Sequence, residues 1–318
     1  MSPIAIDRSY SDTAAHQRWW QLSERTKAIG LLFLATILIG SGNVAQVTAV
    51  EKVGTFTMVA LRSVIAVLFL LPFAIVELRT MVRWDRNVLP CIIAAALYFA
   101  ASMVAQQAGA VSTTATNIGF LINMSAVFVP MLLWFTVREM PPLMAWPAAA
   151  VAVVGAYLVT GAGGLSSTLG DLLCLLAGLF DAVWIIALGV LVPKCKAPAC
   201  LVLLMYAASA VCAAPGLIIE GDSLRALWTA MPEALWLGVM SSGLGFLFST
   251  RAQATLPTCM VAVVFCFEAI VSAVCGRIVL GEMMTLTSYI GATLIIVAVL
   301  MSQIQLRRSV PHQSSALQ

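Results

Sequence analysis

From residue 28 to residue 305 the sequence is a succession of apolar runs, each roughly twenty residues long, joined by a few residues rich in Gly, Pro and Thr. No other feature constrains the fold as strongly. In hydrocarbon every backbone N–H and C=O must be satisfied within the protein, which leaves helices or a closed barrel. Barrel strands alternate polar and apolar residues, and these runs do not. Only 10% of the residues are charged and 61% are hydrophobic, whereas a soluble domain carries about 25% charged residues. The chain therefore reads as an all-α polytopic membrane protein. The runs predict ten transmembrane helices at 28–49, 55–76, 88–109, 114–136, 142–161, 169–192, 198–219, 232–253, 257–279 and 285–305.

Charge follows topology. With the N-terminus in the cytoplasm, thirteen Lys and Arg residues fall on the inner side and three (Lys52, Arg225 and Arg277) on the outer side, with Arg62 left inside a span. Both termini are then cytoplasmic: a polar N-terminal tail over 1–27 and a C-terminal tail over 306–318. No short apolar segment with a cleavage site precedes the first span, so no cleaved signal peptide is expected. The net charge of +3 gives no support to a nucleic-acid partner; the lipid bilayer and a small-molecule substrate are the expected partners. Eight cysteines show no metal-like spacing and read as small buried hydrophobes.

The sequence repeats itself. Glu139-Met140 recurs as Glu282-Met283, Leu143 as Leu286 and Pro72 as Pro215, all at a shift of 143 residues. Two five-helix units result, 28–161 and 169–305. Five is odd, so the second unit enters the membrane from the opposite side. This is an inverted-topology repeat, the build of many secondary transporters, with the substrate site near the midplane between the halves. Repeats alone also fit channels.

The stretches "LRSVIAVLFLLPF" (61–73), "AGAVSTTATNIGFLINMSAVFVPMLLWFTVREM" (108–140), "GDLLCLLAGLFDAVW" (170–184) and "EAIVSAVCGRIVLGEMMTLTSYIGATLII" (268–296) resemble the EamA-type branch of the drug/metabolite transporter superfamily. The resemblance extends over nearly all of 28–305. It implies ten helices, a bacterial inner-membrane location, and export of small metabolites, amino acids or drugs. By position, Arg62 corresponds to the Arg of span 2, Pro130 to the proline of span 4, and Glu139 and Glu282 to the acids that close spans 4 and 9. Glu268 corresponds to a Glu commonly followed by proline; Ala269 stands there instead, which puts the kink in question. Asp181 occupies a place that is usually apolar or aromatic in the family.

Asp181 lies about twelve residues into span 6, roughly 18 Å deep, and Glu268 roughly 16 Å into the oppositely running span 9. Both are near the centre of a core about 30 Å thick, where ionisable groups are costly and functional by default. A carboxyl there can bind a cationic group, exchange a proton, or alternate between the two. A neutral acid held by hydrogen bonds, or one paired with Arg62, is the structural alternative. Arg62, roughly 10 Å below the outer end of span 2, can pair with Glu268 or Asp181 or hold a substrate carboxylate. Trp184 shares a helix face with Asp181. Ser41, Asn43, Gln46, Gln106, Gln107, Asn117, Asn123 and Ser125 add a polar lining, with Ser125 the repeat counterpart of Glu268. Each also suits an interhelical hydrogen bond. Glu139 and Glu282, at helix ends, suit capping.

Enzymes of several kinds are excluded from the membrane core. His16 and His312 lie in the tails and all four lysines outside the spans, so a histidine metal site, haem ligation and a retinal-type Schiff base have no residues. No GxxxxGK[ST] loop is present for ATP hydrolysis. No cofactor or metal is expected. The reading is a secondary active exporter of amino acids, amines or organic cations, working by alternating access and coupled to protons through Asp181. The alternatives are a passive uniporter and, remotely, an aspartyl-type intramembrane enzyme.

Overall fold

The computed structural model describes residues 8–81, 88–110, 112, 121–137, 143–160, 169–279, 281 and 285–308. Almost all of the described residues are helical. In chain order these are α1 (Arg8–Val50), α2 (Thr55–Met81), α3 (Leu89–Ala110), α4 (Ser125–Leu132, continued as a π-helical turn over Leu133–Val137) and α5 (Ala145–Thr160). Then follow α6 (Leu169–Cys195), α7 (Pro198–Glu220), the short α8 (Leu224–Thr229), α9 (Met231–Gln253), α10 (Thr258–Val279) and α11 (Leu286–Arg308). Seven of them are long and apolar enough to cross a membrane. Shorter apolar helices cover Leu121–Phe135, Ala145–Val159 and Leu286–Ser302. Large apolar side chains such as Leu68, Ile93, Val211 and Ile218 point outward, as they do where the surrounding solvent is lipid.

The packing respects the repeat. Exchanging α1 for α6, α2 for α7, α3 for α9, α4 for α10 and α5 for α11 maps most of the neighbouring pairs onto one another, while among the described residues α5–α10, α6–α9 and α6–α10 have no counterpart of similar extent. The pairs α2 with α7 and α5 with α11 map onto themselves. The pair α3–α6 maps onto α9–α1, α3–α7 onto α9–α2, and α4–α6 onto α10–α1.

Two carboxylates that the sequence reading overlooked fix the central pair. Glu77, near the end of α2, accepts from the backbone N–H groups of Ala199 (2.8 Å) and Cys200 (3.1 Å) in the first turn of α7. Glu220, the last residue of α7, accepts from Phe56 (3.0 Å) and Thr57 (2.7 Å) in the first turn of α2. The shift of 143 relates Glu77 to Glu220, Phe56 to Ala199 and Thr57 to Cys200. Helix N-termini carry unsatisfied N–H groups and positive partial charge, so a carboxylate answers both needs. The arrangement requires α2 and α7 to be antiparallel. Hydrogen bonds to charged groups are worth about 1.5–3 kcal/mol. Glu77→Ala and Glu220→Ala should each lower unfolding stability in detergent by roughly that amount. Some twenty residues of helix, roughly 30 Å, separate the two caps, so the double variant should show the sum of the two losses.

Small residues set the closest crossings. A Cβ on Gly170 of α6 would stand 2.7 Å from the carbonyl oxygen of Gly109 on α3. One on Gly291 of α11 would stand 2.5 Å from both the Gly155 oxygen and the Val159 nitrogen of α5.

Candidate functional site

The fourth helix of each unit is interrupted: in α10 near its middle, and in the first unit over Leu121–Ser125, where α4 begins. In α10 the Cys266 N–H donates to Val263 (3.2 Å) and the Ala269 N–H to Cys266 (3.2 Å), a three-residue spacing that tightens the turn. In α4 Met124 donates to Leu121 (3.2 Å) and Val127 to Met124 (2.9 Å). The breaks are 142 residues apart, one off the repeat, and Ser125 and Glu268 lie directly beyond them. The helix is thus interrupted beside Glu268 although Ala269 replaces the proline. Pro130 is buried within α4, further along the chain than that break.

Glu268 is met by α1. Gly40 lets the two helices touch: a Cβ there would stand 2.8 Å from Val271 Cβ and 3.0 Å from the Glu268 carbonyl oxygen. Almost one turn later Asn43 Nδ2 donates to Glu268 Oε1 at 2.7 Å and to Ser272 Oγ at 2.8 Å. Ser272 Oγ in turn donates to the Gly40 carbonyl oxygen at 3.2 Å.

Arg62 reaches inward from α2 and is 5% exposed. Its Nε donates to Ser242 Oγ and its Nη1 to Gln46 Oε1, both at 3.1 Å. Ser242 belongs to a π-helical stretch of α9, Trp236–Gly245. Gly238 in that stretch has no room for a Cβ, which would stand 3.0 Å from the Arg62 carbonyl oxygen. Among the described residues no carboxylate lies within 4.0 Å of Arg62, so it forms an ion pair with neither Asp181 nor Glu268. Its acceptor Gln46 lies three residues from Asn43 on α1, so one face of that helix holds both Arg62 and Glu268.

Asp181 is held from two sides. Ser102 Oγ on α3 and Trp184 Nε1 one turn along α6 both lie 2.6 Å from its Oδ1. Trp184 stands edge-on to Phe99 at 5.5 Å, and Phe99 packs on Tyr206 at 5.1 Å and Phe246 at 5.5 Å. These rings separate the Asp181 cluster from the Arg62 cluster. The Tyr206 hydroxyl is buried and makes no hydrogen bond among the described residues, although it lies beside Arg62 and Ser242. Asp181 and Glu268 are themselves only half-buried.

Side chains from α1, α2, α3, α6, α7, α9 and α10 thus converge, drawn from both repeats. Of the residues singled out in the sequence, Asn43 and Glu268 meet, Gln46 and Arg62 meet, and Asp181 and Trp184 meet. Ser125 is buried at its symmetric place, but the hydrogen bonds on the two acids come from Asn43, Ser102 and Trp184. Asn123 sits beside the break in α4 with a partner of its own. Gln107 is buried on α3. Glu139, Glu282 and Asn117 lie outside the described residues. Ser102, Ser242, Ser272, Tyr206 and Phe99 were missed. Single hydroxyls and rings in an apolar span carry no signal until the partner helix is known.

The sequence profile of the EamA-like transporter family matches residues 26–161 and again residues 168–303. The chain belongs to the EamA-like transporter family. It is a multi-pass membrane protein of transporter type. A curated relative of this EamA-like chain is an "Uncharacterized transporter" of Archaeoglobus fulgidus, 24% identical over 273 residues that make up 86% of this chain and 84% of the relative. A crystal structure of another protein, 15% identical, covers 88% of this chain and 98% of its own with a TM-score of 0.73; it shares the fold.

Proposed function

We propose that this EamA-like chain is a secondary transporter of the bacterial inner membrane that exports small amine-bearing metabolites by alternating access. Ten helices cross the bilayer: the seven long ones together with α4, α5 and α11, whose ends adjoin residues outside the described set. The repeats are inverted, both termini are cytoplasmic, and the polar cluster lies at the midplane between the halves.

One observation carries this reading. Asp181 and Glu268 are each hydrogen-bonded, half-buried and, among the described residues, unpaired with Arg62. A structural ion pair would have neutralised one acid. Carboxylates left without a counter-ion serve a cation or proton that comes and goes, and Arg62, held by neutral acceptors, keeps its charge for a substrate carboxylate.

The test is flux in proteoliposomes offered amino acids, amines and organic cations, with and without an imposed pH gradient. Wild type should accumulate at least one class against its gradient. Asp181→Asn should only equilibrate that substrate. If wild type equilibrates without accumulating under any gradient, the chain is a uniporter in which Asp181 orients substrate.

A further inference from the structure

A second polar feature runs along α9 from the edge of the site toward the end of the helix. Ser242, Phe246, Thr250 and Gln253 follow one another at spacings of four, four and three, which places them on one helix face. Ser249 flanks this stripe. It starts at the hydroxyl that binds Arg62, passes the ring that packs on Phe99 and Tyr206, and ends in the last turn of the helix. That end of α9 packs against α1 of the first repeat and α6 and α7 of the second.

Every residue of the stripe is sealed. Ser242, Ser249 and Thr250 are 0% exposed, Gln253 2% and Phe246 7%. Ser249 Oγ, Thr250 Oγ1 and both amide atoms of Gln253 are fully buried with no hydrogen-bond partner among the described residues. Buried polar groups nearly always find a partner, since leaving one unpaired is expensive. Four such atoms within two turns set this stretch apart from the rest of α9. The amide is the telling case, because a glutamine cannot turn back onto its own helix backbone as a serine or threonine hydroxyl does.

We propose that this face of α9 is the cytoplasmic access route to the Arg62 site, closed in the present conformation. The inference rests on the transport function and orientation proposed above. When the halves part, water and a hydrophilic substrate pass along Gln253, Thr250 and Ser249, and these groups find their partners there. Phe246, between Thr250 and Ser242 on that face, closes the route at its inner end.

The test separates a route from a packing fault by reading stability and flux together. Gln253→Leu removes both orphan amide atoms at similar volume, so the closed conformation gains. If the stripe is the route, the variant melts higher in detergent and its flux in proteoliposomes falls at least tenfold. A variant that melts higher and transports like wild type overturns the inference. Should Gln253→Leu melt lower than wild type, Thr250→Val, nearly isosteric, gives the same pair of readouts. Lost flux at equal or higher melting temperature supports the route, and unchanged flux overturns it. If wild type moves no member of the panel, the transport reading falls and takes this inference with it. If wild type transports and both variants match it, only this inference falls.

Discussion

Gly291→Leu is expected to cut the yield of monodisperse protein in detergent at least tenfold, whereas Gly30→Leu leaves it near wild type. The difference lies in what a side chain would meet. At Gly291 a Cβ would stand 2.5 Å from the Gly155 oxygen and 2.5 Å from the Val159 nitrogen, both backbone atoms of the neighbouring helix. Backbone cannot rotate aside as a side chain does, so α5 and α11 must separate along their contact. That exceeds ordinary core overpacking, which costs about 1–3 kcal/mol. At Gly30 nothing lies within 4 Å, and leucine there gains helix propensity over glycine. Size-exclusion profiles of the two variants decide the matter. Equal yields would mean that the α5–α11 contact contributes little to assembly.

Arg62→Met should abolish transport of carboxylate-bearing substrates while sparing amines that lack the carboxylate. The guanidinium is buried and held by Gln46 and Ser242, two neutral acceptors that orient it without cancelling its charge. A single hydrogen bond to a charged group contributes about 1.5–3 kcal/mol, and roughly 2.7 kcal/mol corresponds to a hundredfold change in affinity. Flux of an amino acid should therefore fall by about a hundredfold. Flux of the corresponding decarboxylated amine should change only a few-fold. Arg62→Lys, which keeps the charge but not the fork, should restore part of the amino-acid flux. Equal losses for both compounds in a variant of normal melting temperature would make Arg62 a packing residue.

The helical class was legible because hydropathy states it directly, and the family because its motifs keep their order. The shift of 143 was also on the surface of the sequence, since Pro72 and Pro215 show it. Glu77 and Glu220 show the same shift five residues later, yet their role was not readable. A carboxylate at a helix end looks like one more water-facing charge until the partner helix is known to run the other way. Asp181 and Trp184 were legible as one face, because three residues along a helix settles that locally. Ser102 was not, because its meeting with Asp181 depends on how α3 crosses α6. The same limit applied to Arg62, whose partners are an amide on α1 and a hydroxyl on α9 rather than either acid. The break in α10 left no mark in the sequence either, for no proline stands there.

The reciprocal caps on α2 and α7 also restrict how the two halves can move. Each helix is pinned lengthwise by a carboxylate of the other, one at either end. Sliding the pair by even one turn, about 5.4 Å, would strip both N-termini of their partners at once. Swivelling about the line of contact keeps both. The caps thus hold the pair against translation while leaving rotation about their contact unopposed.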